Sequence, residues 1–151
     1  MDMTIPYRIE RIETSQFAIF PDKVVNGEDV SIEVNMNFSV SNNLTPLKSV
    51  TNVRYIQNDN LLMVLEINCF FAISEDGQEA IKKNGKIPVD FLRYMGTFAI
   101  GIARGVIHAR TEGTVLSPVV LPPINLNDTI DKDIVIKKEK VKAKTNKQDD
   151  E

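Results

Sequence analysis

Strict alternation of apolar and polar side chains is the clearest pattern in this sequence, and it covers residues 29–41. The apolar positions are Val30, Ile32, Val34, Met36, Phe38 and Val40. A period of two over this length predicts a β-strand with one buried and one hydrated face. A second alternation, from Leu61 to Ile73, predicts another strand, whose opposite face mixes polar and apolar residues.

Two further segments, Ser49–Gln57 and Ile5–Phe20, complete a set of four predicted strands. Residues 58–60, Asn-Asp-Asn, supply a tight turn into the Leu61 strand. In the first strand the apolar positions change face near Arg11, which indicates a bulge or a bend. Short connections without intervening helices predict an antiparallel sheet.

A helical period follows a polar connector that we expect over residues 74–86. Pro88 suits the start of this helix and Gly113 its end. Two apolar stripes run side by side and leave only a narrow polar band, which predicts a helix covered on two sides. One stripe holds Phe91, Met95, Phe98, Ile102, Val106 and Ala109, and the other holds Leu92, Gly96, Ala99, Ile100, Ala103 and Ile107. The predicted fold class is therefore α+β, with a four-stranded antiparallel sheet and a long helix packed across it.

Three glycines inside this helix predict close packing. Gly96, Gly101 and Gly105 each weaken a helix by roughly 1 kcal/mol relative to alanine, so a close neighbour is expected to compensate. One interpretation is that the sheet of the same chain makes this approach. The other is a helix-mediated oligomer, with the three glycines at the interface.

Composition favours a binding protein over an enzyme. The chain has 151 residues, which suits one domain, and its net charge of −3 gives no basic excess for nucleic acid. His108 is the only histidine and Cys69 the only cysteine, so no cofactor, metal or catalytic set is predicted. Cys69 falls on the apolar side of its strand, where we expect a buried hydrophobe. The longest apolar stretch is shorter than the ~20 residues of a membrane span, and no signal peptide is evident, so we expect a cytoplasmic protein.

The segment from Val115 to Leu126 is unusually apolar for a loop with three prolines, at positions 118, 122 and 123. Prolines favour an extended course, so the loop is a candidate wall of a groove for extended apolar polypeptide. The candidate client-binding residues are Phe38, Leu116, Val119, Val120 and Leu121. The alternative is that all five are ordinary core residues beneath the loop.

Several of these segments resemble the SecB family of protein-export chaperones. The order Tyr7-Arg8-Ile9-Glu10-Arg11-Ile12-Glu13-Thr14 is similar to the opening strand of the family, and the "x-F" ending follows at Phe17–Pro21. Ala103-Arg104 and Gly113-Thr114 match its helix, and residues 121–126, Leu-Pro-Pro-Ile-Asn-Leu, match the following loop. The agreement covers most of residues 5–126 and includes no invariant motif.

The resemblance implies a homotetramer built as a dimer of dimers, in which edge strands form the dimer and long helices lie between dimers. It also implies an ATP-independent holdase that binds unfolded precursor polypeptides and passes them to SecA. Val64 and Glu66 correspond to SecA-contact positions of the family. Gln16 and Phe20, however, stand where acidic residues would be expected, which puts the transfer to SecA in doubt.

The C-terminal part also departs from the family. Residues 128–147 lack the leucines of a second amphipathic helix, so that helix is expected to be short or absent. We divide the chain into a chaperone domain, 1–126, and a charged tail, 127–151, partly disordered. Two alternatives to a general export chaperone remain open: a client-specific SecB-like chaperone, for example of a toxin–antitoxin pair, and a small-ligand-binding protein.

Overall fold

Four antiparallel strands with one long helix across them form the body of the protein. The computed structural model describes residues 5–136. The strands are β1 (Tyr7–Ile19), β2 (Ser31–Val40), β3 (Leu47–Gln57) and β4 (Asn60–Ile73), and the helices are α1 (Glu75–Asn84) and α2 (Val89–Thr111). Short elements complete the set: a 3-10 turn (Pro21–Lys23), β5 (Lys86–Ile87), α3 (Leu126–Thr129) and β6 (Ile134–Val135).

The sheet has the order β1-β4-β3-β2, and every neighbouring pair is antiparallel. The predicted α+β class is therefore confirmed, as are the four strands to within a few residues. Asn58 and Asp59 both have positive φ, 51° and 64°, and so form the tight turn between β3 and β4. Asparagine and aspartate tolerate this conformation better than other residues with a side chain.

One face of the sheet forms the core together with α2. The alternate side chains of β4 that were predicted to be buried, from Met63 to Ile73, are 4% exposed or less. The buried face of α2 consists of the second predicted stripe together with Met95 of the first; these residues are Leu92, Met95, Gly96, Ala99, Ile100, Ala103 and Ile107. The first stripe is only partly covered within the described chain, and Ala109 at its end is exposed.

The two edge strands differ in regularity. β1 departs from its register with β4 twice, between Ile9 and Arg11 and between Thr14 and Gln16, which confirms the irregularity predicted near Arg11. β2 keeps one continuous register with β3 over all ten of its residues. An edge strand that bulges is a poorer template for a further strand than one that does not. β2 is therefore the better template of the two.

The connector expected over residues 74–86 is wrong, because most of it is helix α1. Ser74 caps the helix, its hydroxyl accepting a hydrogen bond from the Gly77 amide at 3.0 Å, and acidic residues occupy the first turn. Lysines occupy the last turn, and Gly85 ends the helix with φ of +78°. The connector was predicted from the polar character of the segment and from Gly77 and Gly85, and the capping residues outweigh both features.

The chain returns along α2 after Thr111. Residues 112–136 run back from the end of the helix to its start, where Ile87 pairs with Ile134. Residues 127–136, assigned to the tail, thus pack on the domain, and Ile130 is buried. The short C-terminal helix expected from the sequence is α3, which has four residues. The remainder of the tail, including the part expected to be disordered, lies outside the described residues.

Candidate functional site

The position of α2 on the sheet is fixed by aromatic contacts at its start and a cation at its end. The Tyr7 ring packs edge-on against Phe91 and Tyr94, with ring centroids 5.9 and 6.0 Å away. The Arg110 guanidinium lies 5.0 Å from the Phe17 ring centroid, near the far end of β1. The helix therefore lies over β3 and β4 and runs in the same direction as β1, with one flank toward β1 and the other toward β2.

The flank toward β1 is open in the described chain. A Cβ atom added to Gly101 or Gly105 would meet no atom within 4 Å. Tyr94 on the same flank is 55% exposed, and Ile12, on the adjoining face of β1, is 48% exposed. Ile9 is exposed as well. These residues form an uncovered apolar strip, which we call the β1 flank.

The flank toward β2 is covered by the returning chain. The Tyr55 hydroxyl donates to the Val119 carbonyl at 3.1 Å, and Arg104 Nε donates to the Leu121 carbonyl at 2.7 Å. Burial raises the pKa of Tyr55 to about 12, so its hydroxyl keeps the proton that it donates. A Cβ atom on Gly96 would lie 2.8 Å from Ile130 Cδ1 and 3.2 Å from Met36 Sδ. We call this side the β2 flank.

The close contact predicted for the helix glycines is thus found at one glycine only, and it is intramolecular. Gly96 packs against its own chain, so its lack of a side chain gives no reason to expect a subunit interface there. Gly101 and Gly105 have free space, and an interface at those two positions stays a prediction.

A cavity of about 640 Å³ lies where the β2 flank meets the free edge of β2. Its walls are Val34, Asn35, Met36 and Asn37 of β2, Asn52 of β3, and Asp128 and Thr129 of α3. Within residues 5–136, β2 pairs only with β3, so the main-chain groups along its other edge have no strand partner. The cavity therefore combines unpaired backbone groups, amide side chains and two apolar side chains.

The five predicted groove residues do not form one surface. Leu116 and Leu121 are at most 1% exposed and belong to the core, which agrees with the alternative interpretation for these two. Val119 and Phe38 are half-buried, and Val120 is 63% exposed. Phe38 lies opposite Ser49 of β3, whereas Val119 meets Tyr55, six residues or about 20 Å further along that strand.

Sequence reasoning missed the amide residues of β2 and the α3 segment. Asn35 and Asn37 were assigned only to the hydrated face of a strand, and Asp128 and Thr129 to the tail. Which edge of β2 stays unpaired depends on the strand order, and no local pattern encodes that order. Phe38 was the only predicted client-binding residue on β2.

The sheet face opposite α2 has no covering element within residues 5–136, and Val64 and Glu66 both lie on it, half-buried. The Glu66 carboxylate accepts hydrogen bonds from Ser15 Oγ at 2.6 Å and Asn52 Nδ2 at 2.9 Å. Gln16 is the β1 partner of Glu66 in the sheet register. The Arg11 guanidinium lies 4.0 Å from the ring centroid of Phe70 on β4. This face is therefore mixed in charge.

Cys69 is fully buried, as predicted, and burial raises the pKa of its thiol. The described residues include no cluster of histidine, cysteine, aspartate or glutamate suited to a metal ion. None of the helices in the described part combines the length and the apolar character that a membrane crossing requires.

Comparisons with known proteins give a likeness in structure and none in sequence. No family model matches the chain, and no curated protein matches it. Among solved structures, a SecB-like chaperone of Mycobacterium tuberculosis, in complex with a ChAD peptide from the HigA1 antitoxin, is similar with a TM-score of 0.47 and 12% identity. The match covers 78% of this chain and 90% of the other.

Proposed function

We propose that this chain is an ATP-independent chaperone of the SecB type that binds a polypeptide client in extended form. The observation that carries the proposal is the cavity at the free edge of β2. An extended client can form main-chain hydrogen bonds with such an edge, which gives affinity for many sequences. Val34 and Met36 supply apolar contacts for client side chains beside it.

The choice of β2 over β1 rests on register. Ten residues of β2 run without a bulge, so a client strand can continue the same ladder. β1 changes register twice, and a client strand on that edge would have to follow both irregularities. The cavity also adjoins β2 and none of its wall residues comes from β1.

For client scope we favour a dedicated client over general export of precursors. According to the family resemblance, SecA recognises an acidic sheet surface. Here Gln16 stands opposite Glu66, whose carboxylate is already hydrogen-bonded, and Arg11 adds a positive charge beside Phe70. This mixed surface supports a client-specific SecB-like chaperone, with SecA transfer as the less favoured possibility.

Assembly into a homotetramer belongs to the same proposal. The β1 flank is apolar and uncovered in the described chain, and Gly101 and Gly105 would let another helix approach its backbone closely. The flank used for assembly would then differ from the one used for the client. The chain would separate its two contact surfaces on opposite sides of one helix.

The matched variants Asn35→Lys and Gln16→Lys test the edge assignment. Asn35, Asn52, Glu66 and Gln16 lie in one row across the sheet, so both substitutions add a lysine to the exposed face at opposite edges. Lysine on an edge strand opposes pairing with a further strand. We expect Asn35→Lys to weaken suppression of aggregation of an unfolded protein, and Gln16→Lys to leave it unchanged, at equal melting temperature. Equal loss in both variants, or in neither, would reject the β2 edge as the client site.

A pull-down from the native host would separate the candidate functions. A single dominant polypeptide supports the client-specific chaperone, and many unrelated unfolded precursors support the general export chaperone. Recovery of no polypeptide, together with no suppression of aggregation, would reject both and leave a small-ligand protein as the candidate.

A further inference from the structure

The segment 126–136 packs apolar side chains, of the same chemical class as a client's, into the cleft between α2 and β2 at Leu126 and Ile130, and its end pairs with β5. We call this segment the strap. Its Leu126 and Ile130 side chains, four residues apart, meet the bare backbone of α2 at Gly96, where an added Cβ would lie 3.5 and 2.8 Å from their terminal carbons. Ile130 is 5% exposed. The strap therefore seals the apolar part of the cleft.

The cavity at the β2 edge ends at the strap. Asp128 and Thr129 of the strap line the cavity. Met36 lines it as well and also lies next to Gly96 of the helix. If the strap lifted, the cavity would extend inward to the helix. The apolar surface then exposed would be larger than the one that the cavity offers alone.

Apart from its apolar packing, the strap is held to α2 and β5 by a small set of polar contacts, most of them only part-buried. Arg93 Nε donates to the Ile130 carbonyl at 2.9 Å, and the Val89 amide donates to Asp133 Oδ1 at 2.6 Å. Lys86 forms an ion pair of 3.2 Å with Asp133, and both side chains are about a third exposed or more. The β5–β6 pairing spans two residues on each strand. A four-residue helix and a two-residue strand have little stability of their own.

We propose that the strap is an internal competitor for the client: it occupies the cleft in the resting protein, and a client segment with two apolar side chains displaces it. The inference rests on the proposed function. It adds that the client site is larger than the open cavity and that its apolar part is covered at rest. Leu126 and Ile130 lie about one helical turn apart, a distance of roughly 6 Å that an extended client spans with side chains two residues apart.

A disulfide that can be formed and reduced in the same protein tests the role of the strap. Lys86 and Val135 are register partners and both are exposed, and paired Cα atoms of an antiparallel ladder lie within the range that a disulfide spans. The variant Lys86→Cys/Val135→Cys can therefore be oxidised to hold the strap down and reduced to free it. Cys69 is buried and does not compete.

The probe is fluorescently labelled, reduced and carboxymethylated α-lactalbumin, which stays unfolded. We expect the oxidised variant to bind it at least about tenfold more weakly than the reduced variant, since apparent affinity falls with the fraction of open molecules. The single variant Lys86→Cys controls for the lost ion pair. Equal binding in both redox states would overturn the strap as a competitor, while the proposed function would stand. If the wild type does not bind this probe, the polypeptide recovered in the pull-down replaces it; no binding of the probe together with no recovered polypeptide would reject the proposed function, and the strap inference with it.

A second variant guards against failure of the disulfide to form. Ile130→Ala removes the side chain that fills the cleft, and the strap inference predicts tighter binding of the same probe. A purely structural strap predicts a lower melting temperature with unchanged or weaker binding, which would contradict the inference.

Discussion

The β1 flank and the β2 flank of α2 differ in how they are covered, although both belong to one helix. On the β2 flank the chain returns and packs Ile130 against Gly96, so the backbone of the helix is closed off. On the β1 flank Gly101 and Gly105 face free space, and Tyr94 is more than half exposed. Glycines within one helix thus have opposite environments. At Gly96 a side chain would meet the strap. At Gly101 and Gly105 no contact within the described residues explains the missing side chain.

This asymmetry separates the contacts that hold the subunit together from the surface proposed for assembly. The covered flank carries the contacts that close the fold and borders the cavity of β2, while the open flank offers apolar surface that nothing in residues 5–136 covers. Substitutions on the first flank should therefore change folding stability, and those on the second should change assembly.

The largest effect is expected where the returning loop enters the core of the β2 flank. Leu121→Ser should lower the free energy of unfolding by about 2 to 5 kcal/mol, because Leu121 is 1% exposed and serine leaves a cavity. Thermal and urea unfolding measure this. Val120→Ser, one residue away and 63% exposed, is the matched control and should change stability by less than about 0.5 kcal/mol. Equal melting of the two variants would contradict the described course of the loop.

The glycines provide the next comparison. Gly96→Ala should destabilise the protein by up to about 2 kcal/mol: a Cβ atom would lie 2.8 Å from Ile130 Cδ1 and 3.2 Å from Met36 Sδ, and the overpacking cost of about 1 to 3 kcal/mol is offset by a helix-propensity gain of up to about 1 kcal/mol. Gly101→Ala meets free space and should instead stabilise the helix by up to about 1 kcal/mol. Chemical denaturation of both variants measures the sign of the change in the free energy of unfolding. A higher free energy of unfolding in Gly96→Ala than in the wild type would show that the strap does not pack closely against the helix.

Assembly through the β1 flank can be tested with a larger side chain. Gly101→Leu or Gly105→Leu should weaken an oligomer by about 1 to 3 kcal/mol per site through overpacking, while leaving the folded subunit intact. Light scattering reports the mass, and circular dichroism reports the fold. A wild-type monomer, or an oligomer unchanged in both variants, would remove the β1 flank from the assembly proposal.

The smallest effect concerns the carboxylate that holds the strap. The Val89 amide and Lys86 hold the pKa of Asp133 below its usual range. A depressed pKa stabilises the fold above the unfolded-state value near 4, and this contribution is lost as pH falls through the folded-state value. Asp133→Asn should therefore lower the melting temperature slightly at pH 7, and the difference from the wild type should shrink below pH 4. A constant difference down to pH 2 would exclude this role of the carboxylate.

Local patterns accounted for much of the sheet. Alternation in β2 and β4, the turn at Asn58 and Asp59, and the break in β1 near Arg11 are all features of neighbouring residues, and each was visible in the sequence. α1 was missed because its apolar content is low, although Ser74 and Gly85 mark both ends of the helix. Attention to capping residues would have found it.

The sequence by itself determined the four strands of the main sheet, the buried faces of β2 and β4, and the presence of one long, doubly apolar helix, because side-chain periodicity follows directly from backbone geometry. Tertiary structure alone decided which two strands form the edges of the sheet, which glycine is packed and where the chain returns after Thr111. These depend on contacts between residues far apart in sequence, such as Gly96 with Ile130 and Tyr55 with Val119. The candidate site is made of such contacts, so it became visible only in the folded chain.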